Sequence, residues 1–175
     1  MRVYLAGPDV FLPDPVARGA ALKAVCAAHG LEAVFPLDAL PGGDPVAWGG
    51  LPEAFRIARR NEAHIAGCDA LIANLTPFRG PSADAGTMFE LGFMRALGRP
   101  VYGWSNSTMG FAARTHAFLG GVDPAGMAIE DFGLADNLMI EGAIQASGGR
   151  FYATDAELWR DLTAFTRCVA AVSGR

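Results

Sequence analysis

The chain has 175 residues, a formal net charge of −4 and 51% hydrophobic residues. This length suits one domain with a substantial core, so we expect a single domain over residues 1–175. The one lysine, Lys23, and the mild negative charge leave no basic patch for a nucleic-acid backbone. No apolar run approaches the roughly 20 residues of a membrane span, so we expect neither nucleic acid nor a membrane as partner.

The cysteines and the first residues bear on cellular location. The cysteines are odd in number, far apart and free of CxxC spacing: Cys26, Cys68 and Cys168. This pattern is typical of reduced, buried thiols and favours a cytoplasmic protein. The chain opens directly on an apolar strand pattern, so we expect no signal peptide.

Short apolar runs alternate with helical patterns along the chain. Strands are predicted over Arg2–Ala6 and over residues 32–35, 69–74, 101–104 and 150–152. Helices are predicted over residues 15–29, 52–66 and 136–146 and between Asp84 and Gly98. A last helix is predicted after Asp155, its N-cap, with an apolar stripe of Leu158, Leu162, Phe165, Val169 and Val172. This order predicts an α/β fold: one open parallel sheet of about five strands, flavodoxin- or Rossmann-like, with helices on both faces.

Two long connections interrupt the pattern. Residues 36–51 are rich in Gly and Pro, and residues 105–134 carry many Gly, Ser, Thr and Asn with little periodicity. Connections of this length usually serve a function or an interface. The second one holds Phe111, Phe118, Met127 and Phe132. Such side chains argue against disorder and indicate an oligomer interface.

Several ligand-binding motifs are missing from the sequence. No G-x-G-x-x-G follows a strand and no G-x-x-x-x-G-K-[ST] exists, which argues against dinucleotide and P-loop sites. The histidines lack metal-ligand spacing: His29, His64 and His116. We therefore expect neither a cofactor nor a bound metal.

Two carboxylates mark the junction between the third strand's loop and the next helix. Asp84 lies in the last turn of the loop, and Glu90 lies six residues later among apolar helix residues. In an open parallel sheet this junction lies at the carboxyl edge, where such sheets bind ligands. Burial would raise the pKa of Glu90, and paired carboxylates suit chemistry at an anomeric carbon.

A structural interpretation of the same residues is equally open. Thr87 and Glu90 fit a capping box, in which the Glu90 side chain folds back to the backbone N–H of Thr87. Asp84 fits a turn residue. In the preceding helix Asn61 is the polar residue of an inward stripe that includes Ile65, as either a core amide or a ligand contact.

Three motifs resemble the nucleoside 2-deoxyribosyltransferase family. Val3-Tyr4-Leu-Ala-Gly7-Pro8 is similar to the family's opening motif. Asp84-Ala-Gly-Thr-Met-Phe-Glu90-Leu-Gly matches the D-x-G-[TL]-x-x-E-[LF]-G signature at the same spacing, and Asn137-Leu-Met139 resembles its N-L-M segment. The likeness spans most of the domain in the same order.

The resemblance implies a transferase that exchanges the base of 2′-deoxyribonucleosides, with free nucleobases as co-substrates. Glu90 would attack C1′ and form a covalent deoxyribosyl-enzyme, Tyr4 would orient Glu90, and Asp84 would exchange protons with the bases or bind the sugar. Asn137 and Met139 would complete the site of a neighbour in a homo-oligomer. The other substrate contacts implied are Gly7, Pro8, Asp9, Phe11, Asn61 and Gly86.

Departures from the family pattern leave the substrate open. Leu40 stands where an amide would contact the base, and Asn61 stands where some relatives carry an acid. The loop 7–14 offers Asp9 and Asp14 without a cation, so we expect deoxynucleoside 5′-monophosphates to be poor substrates. Hydrolysis of deoxynucleosides or their 5′-monophosphates, and a non-catalytic nucleotide-binding sensor, are the alternatives to base exchange.

Overall fold

A computed structural model describes residues 1–174 and shows one five-stranded parallel sheet in the order β2-β1-β3-β4-β5. The strands are β1 Arg2–Ala6, β2 Glu32–Val34, β3 Ala70–Asn74, β4 Val101–Ser105 and β5 Phe151–Ala153. The helices are α1 Pro15–Ala28, α2 Glu53–Ala66, α3 Ala85–Ala96, α4 Phe111–Leu119, α5 Leu138–Ala146 and α6 Thr163–Ser173. The predicted open parallel α/β sheet is confirmed.

The sheet separates two hydrophobic cores because neighbouring strand residues point to opposite faces. Val3 and Leu5 of β1 pack with α1 and α6, whereas Tyr4 packs on the other face with side chains of α2, α3 and α5. The three central strands are buried on both faces, except Arg2 at the start of β1. That burial explains their continuous apolar sequences.

The connections after β1 and β3 lie side by side at the carboxyl edge. Ala6 pairs with Ala73 in register, so the loop that begins at Gly7 meets Asn74 at the end of β3. A Cβ at Gly7 would lie 2.7 Å from Cβ of Asn74 and 2.7 Å from Oδ2 of Asp9. Only glycine allows this close approach, which brings the loop onto the end of the sheet.

The prediction of one irregular connection over residues 105–134 was wrong, because α4 lies within it. The buried residue of α4 is Arg114, not an apolar side chain, so the helix lacks the periodicity that would reveal it. Arg114 donates a hydrogen bond to the Pro81 carbonyl at 2.6 Å and pairs with Asp136 at 3.4 Å. This helix therefore anchors the β3–α3 connection through a buried cation.

The last helix begins at Thr163, not just after Asp155 as predicted. Asn106 Nδ2 lies within 3.1 Å of three backbone carbonyl oxygens in residues 157–161, which holds that segment outside the helix. Leu158 accordingly lies before the helix and is 39% exposed. The later residues of the predicted stripe, Phe165, Val169 and Val172, are buried in the core as expected. No helix within residues 1–174 is long and apolar enough to cross a membrane.

Candidate active site

Two elements, β1 and α2, bring polar side chains to the carboxylate of Glu90 on α3. The Tyr4 hydroxyl of β1 donates a hydrogen bond to Glu90 Oε1 at 2.7 Å. Asn61 Nδ2 of α2 lies 3.3 Å from the same oxygen. Tyr4, predicted from the opening motif, and Asn61, the polar residue of the inward stripe of α2, therefore meet at the nucleophile candidate.

A cavity of about 210 Å³ lies beside this carboxylate, between α2 and α3. Its walls include Ala58, Asn61, Ile65, Gly86 and Phe89 together with Glu90 itself. The oxygen Oδ1 of Asn61 is buried and has no hydrogen-bond partner within residues 1–174. A buried acceptor without a donor is costly, so a ligand N–H or O–H in this cavity would satisfy it.

The electrostatics of Glu90 suit a reactive carboxylate. Burial is the main cause that raises its pKa to about 7, and the negative charge of Asp84 raises it further. Hydrogen bonds from Tyr4 and Asn61 act in the opposite direction, because they stabilise the ionised form. Burial and the neighbouring Glu90 raise the pKa of Tyr4, which keeps its hydroxyl a neutral donor.

The predicted capping box does not form, and Asp84 caps the helix instead. Asp84 Oδ2 accepts hydrogen bonds from the backbone N–H of Thr87 at 2.9 Å and from the Thr87 hydroxyl at 3.1 Å. The side chain of Glu90 faces Tyr4 rather than the start of its own helix. A Cβ at Gly86 would lie 3.0 Å from Asp84 Oδ2, which explains the small residue there.

Asp9 anchors its loop, contrary to the expectation that it meets the substrate as a free carboxylate. It is 2% exposed. Its Oδ1 accepts from Arg18 Nε at 2.7 Å and its Oδ2 from Asn74 Nδ2 at 2.8 Å. Both oxygens are therefore engaged. The loop itself has no cation, as the sequence indicates, but Arg18 of α1 neutralises Asp9.

A second cavity, of about 310 Å³, lies at the same edge of the sheet. Its lining consists of Pro8, Phe11, Leu12, Phe78, Arg79 and Trp159. Pro8 and Phe11 were predicted as substrate contacts, and they line this cavity rather than the one at Glu90. Sequence reasoning missed the other aromatic side chains and Arg79; the run Pro77-Phe-Arg-Gly-Pro81 was the available signal of a shaped loop.

A buried polar network, also missed from the sequence, ties the strand ends together. Asn74 Oδ1 accepts from the backbone N–H of Thr76 at 3.1 Å. The Thr76 hydroxyl in turn accepts from the backbone N–H of Asn106 at 3.1 Å. Asn74 also binds Asp9, and Asn106 also binds residues 157–161, so the network connects the segments that carry Phe11 and Trp159 in the wall of the second cavity.

Asn137 and Met139 lie away from the Glu90 cavity in a single chain. Asn137 caps α5, accepting from the Met139 backbone N–H at 3.0 Å and donating to Glu130 at 2.8 Å. Met139 is 70% exposed. Neither residue lines the Glu90 cavity. Their assignment to a neighbour's site stays a prediction.

Comparison with known proteins identifies the family. The family model described as "Nucleoside 2-deoxyribosyltransferase" matches residues 3–139, which include Tyr4, Asp84, Glu90 and the Asn137-Leu-Met139 segment. The chain belongs to the nucleoside 2-deoxyribosyltransferase family. The resemblance inferred from the three motifs is thereby confirmed.

Three individual proteins illustrate what the chain is similar to. An uncharacterised protein of Schizosaccharomyces pombe is 33% identical over 172 residues, covering 87% of this chain and 81% of that protein. The 2-desoxiribosyltransferase from Leishmania mexicana is 29% identical with a TM-score of 0.66, covering 96% of each chain. A CMP N-glycosidase from Clostridium botulinum, BcmB, is 14% identical with a TM-score of 0.52, covering 98% of this chain and 99% of that chain, and shares the fold.

Replacing Tyr4 by Phe should move the pH dependence of catalysis. If Glu90 is the nucleophile, only its ionised form can attack, so kcat/KM of the parent enzyme should rise as pH increases through about 7. Loss of the Tyr4 hydrogen bond raises the pKa of Glu90. We therefore expect the acid limb of the pH–rate profile, where kcat/KM rises with pH, to move up by roughly one pH unit. Measured pH–rate profiles of Tyr4→Phe and of Tyr152→Phe, a tyrosine of the edge strand, test this. An unmoved limb in Tyr4→Phe would contradict the assigned hydrogen bond.

Proposed function

We propose that this enzyme exchanges the base of 2′-deoxyribonucleosides through a covalent deoxyribosyl–Glu90 intermediate. The observation that carries the proposal is the half-buried Glu90 carboxylate, oriented by Tyr4 and Asn61 at the wall of a cavity. Family membership supports glycosyl transfer, and the geometry supports Glu90 as the attacking group.

The reaction is a double displacement at C1′. A Glu90 oxygen forms a bond to C1′ while the C1′–N bond breaks. The electron pair of the broken C1′–N bond stays on the nitrogen of the leaving base, which takes a proton. A free base then attacks C1′, loses a proton and displaces the carboxylate. Two inversions give net retention, and the oxocarbenium-like transition states are stabilised by the adjacent anion.

The neighbouring side chains divide the remaining tasks. Tyr4 donates to Oε1 throughout and therefore aligns Glu90 without exchanging a proton itself. Asn61 Oδ1, buried and without a partner in residues 1–174, would accept a hydrogen bond from the bound substrate. Asp84 lies at the start of α3, where it would exchange protons with the bases. These groups supply the whole reaction, so the proposal involves no cofactor.

Product analysis tests the proposal directly. The enzyme is incubated with a deoxynucleoside donor and a different free base, and all products are separated by chromatography. A new deoxynucleoside with the β configuration is the expected product. If free deoxyribose and base form alone, the enzyme is a hydrolase, and binding without turnover would indicate a sensor. Purine and pyrimidine acceptors are compared in the same assay.

A homo-oligomer is part of the proposal, with Asn137 and Met139 completing a neighbour's site. Met139 is 70% exposed, and Phe118, Met127 and Phe132 on the 105–134 connection are 65%, 67% and 68% exposed. Exposed apolar side chains in this number indicate an interface.

We also propose a cytoplasmic location and a role in the salvage of nucleobases. The three buried cysteines, which form no disulfide, support the cytoplasmic location.

Light scattering tests the oligomer. We expect at least a dimer at working concentration, and we expect Met139→Glu to lower both the native mass and the turnover because it buries a charge at the interface. Val16→Glu is the matched control, since Val16 of α1 is 72% exposed and has no predicted contact with a neighbour. A fully active monomer would show that no neighbour contributes to the site.

A further inference from the structure

The guanidinium of Arg79 has an unusual position at the rim of the second cavity. It lies 4.5 Å from the ring centre of Phe78 and 5.2 Å from that of Phe11. The two rings stack on each other at 5.4 Å, and Trp159 meets Phe78 edge-on at 6.1 Å. Stacking on aromatic faces holds a guanidinium in one plane while its N–H groups stay free to bind.

The charge of Arg79 has no compensating carboxylate within residues 1–174. No carboxylate of residues 1–174 forms a salt bridge with it, whereas Arg18 and Arg114 each pair with an aspartate. Asp9, the acid of the adjacent loop, is already neutralised by Arg18. The walls of the cavity are otherwise apolar, so Arg79 presents a net positive charge there.

The backbone around Arg79 is held in a costly conformation. Its φ of 56° is the only positive φ at a non-glycine position in residues 1–174. Left-handed backbone at such a residue persists where the surrounding structure enforces it, and it is concentrated at functional sites. Here the conformation places the guanidinium over Phe78 and Phe11.

Two chain connections join the walls of this cavity to the elements that carry the proposed reaction centre. Pro8, in its wall, follows directly on the strand that carries Tyr4. Arg79 lies on the same β3–α3 connection as Asp84, which caps the helix of Glu90. Parallel β1 and β3 are neighbours, so both connections leave the same edge of the sheet.

We propose that Arg79 is a phosphate-recognition residue and that its cavity binds the phosphate group of the substrate. A planar guanidinium binds a phosphate through two parallel charge-assisted hydrogen bonds, and the apolar walls limit competition from water. The inference rests on the proposed function and specifies its substrate class: 5′-phosphorylated deoxynucleosides. It reverses the expectation that such nucleotides are poor substrates, which depended on the negative charges of Asp9 and Asp14. Asp9 is neutralised by Arg18, and Asp14 caps α1. The same chemistry would also bind free phosphate, and the experiment separates these sources.

Binding is measured without turnover, so the result does not depend on the reaction. In a Glu90→Gln background, calorimetry gives the Kd of a deoxynucleoside, its 5′-monophosphate and inorganic phosphate. We expect the monophosphate to bind roughly 10- to 100-fold more tightly than the nucleoside. Arg79→Gln should abolish this preference and leave nucleoside affinity unchanged. Arg167→Gln is the matched control, because Arg167 lies 5.7 Å from the Tyr152 ring in a comparable contact elsewhere.

The outcomes are distinct. An Arg79-dependent preference for the monophosphate supports the 5′-phosphate as the source. Binding of inorganic phosphate that depends on Arg79, without a preference for the nucleotide, supports the phosphate site with free phosphate as its ligand. Affinities that are the same in Arg79→Gln for every ligand overturn the inference. Retained turnover in Glu90→Gln would overturn the covalent mechanism, whatever happens at Arg79.

Discussion

Glu90→Gln should lose several orders of magnitude in turnover while folding normally. The amide keeps the size of the carboxylate and an oxygen that accepts from Tyr4 and Asn61, as Glu90 Oε1 does. It is a poor nucleophile toward C1′, so the covalent intermediate cannot form at a useful rate. Steady-state rates and mass spectrometry of a sugar adduct, trapped with a slow fluorinated donor, measure both parts of this expectation.

The same substitution should raise thermal stability at alkaline pH. Burial raises the pKa of Glu90 from 4.5 to about 7, so the folded protein favours the protonated form. The contribution of Glu90 to the free energy of unfolding is fully present below 4.5, the pKa of Glu90 in the unfolded chain. It is lost as pH rises through about 7, the pKa in the folded protein. At pH 8 the ionised carboxylate costs about 3 kcal/mol relative to the unfolded chain. Glu90→Gln should therefore melt several °C higher at about pH 8, with the difference disappearing towards about pH 5.

Glu62→Gln is the matched comparison for this experiment. Glu62 lies in the wall of the same cavity but makes no hydrogen bond to Tyr4 or Asn61. We expect its rate to fall by less than about tenfold, because only a carboxylate oriented for attack supplies the nucleophile. A sugar adduct on Glu62 or Asp84, or a near-normal rate in Glu90→Gln, would show that the nucleophile is misassigned.

The parts of the fold that could be predicted from the sequence are those with local signals. The buried strands are apolar throughout, and the spacing from Asp84 to Glu90 places one residue at the helix start and the other inside the helix. The meeting of Tyr4 with Glu90 spans 86 residues. No local pattern encodes that contact, and it was expected only because of the resemblance to a family.

The parts that were missed depend on long-range polar contacts. The helix α4 buries an arginine where an apolar stripe would have identified it, and Asn106 keeps residues 157–161 out of the last helix. The pairing of Asp9 with Arg18 could not be predicted either. Arg18 lies nine residues further along the chain, in α1, and no local pattern shows that its side chain reaches back to the loop. Arg79 and Trp159 come from distant segments, so the cavity they share exists only in the folded chain.

Asp84→Asn should separate the capping role of Asp84 from its proposed role in proton transfer. Asn and Asp are equally good N-cap residues, so helix α3 and the melting temperature should be preserved, whereas Asp84→Ala should cost about 0.5–2 kcal/mol. Loss of the negative charge lowers the pKa of Glu90, so the acid limb of kcat/KM should move to lower pH.

If Asp84 exchanges protons with the bases, Asp84→Asn should reduce turnover of natural deoxynucleosides by about 10²- to 10⁴-fold, the usual contribution of a general acid or base. A donor such as 4-nitrophenyl 2-deoxyriboside, whose leaving group needs no proton, should recover most of the formation rate of the covalent intermediate. Asp14→Asn is the control, because Asp14 caps α1 with the same geometry, accepting from Ala17 N–H at 2.9 Å. Equal losses with both donors would instead indicate that Asp84 binds the sugar. Normal rates with both donors would show that Asp84 only caps the helix, since its hydrogen bonds to Thr87 do not require a charge.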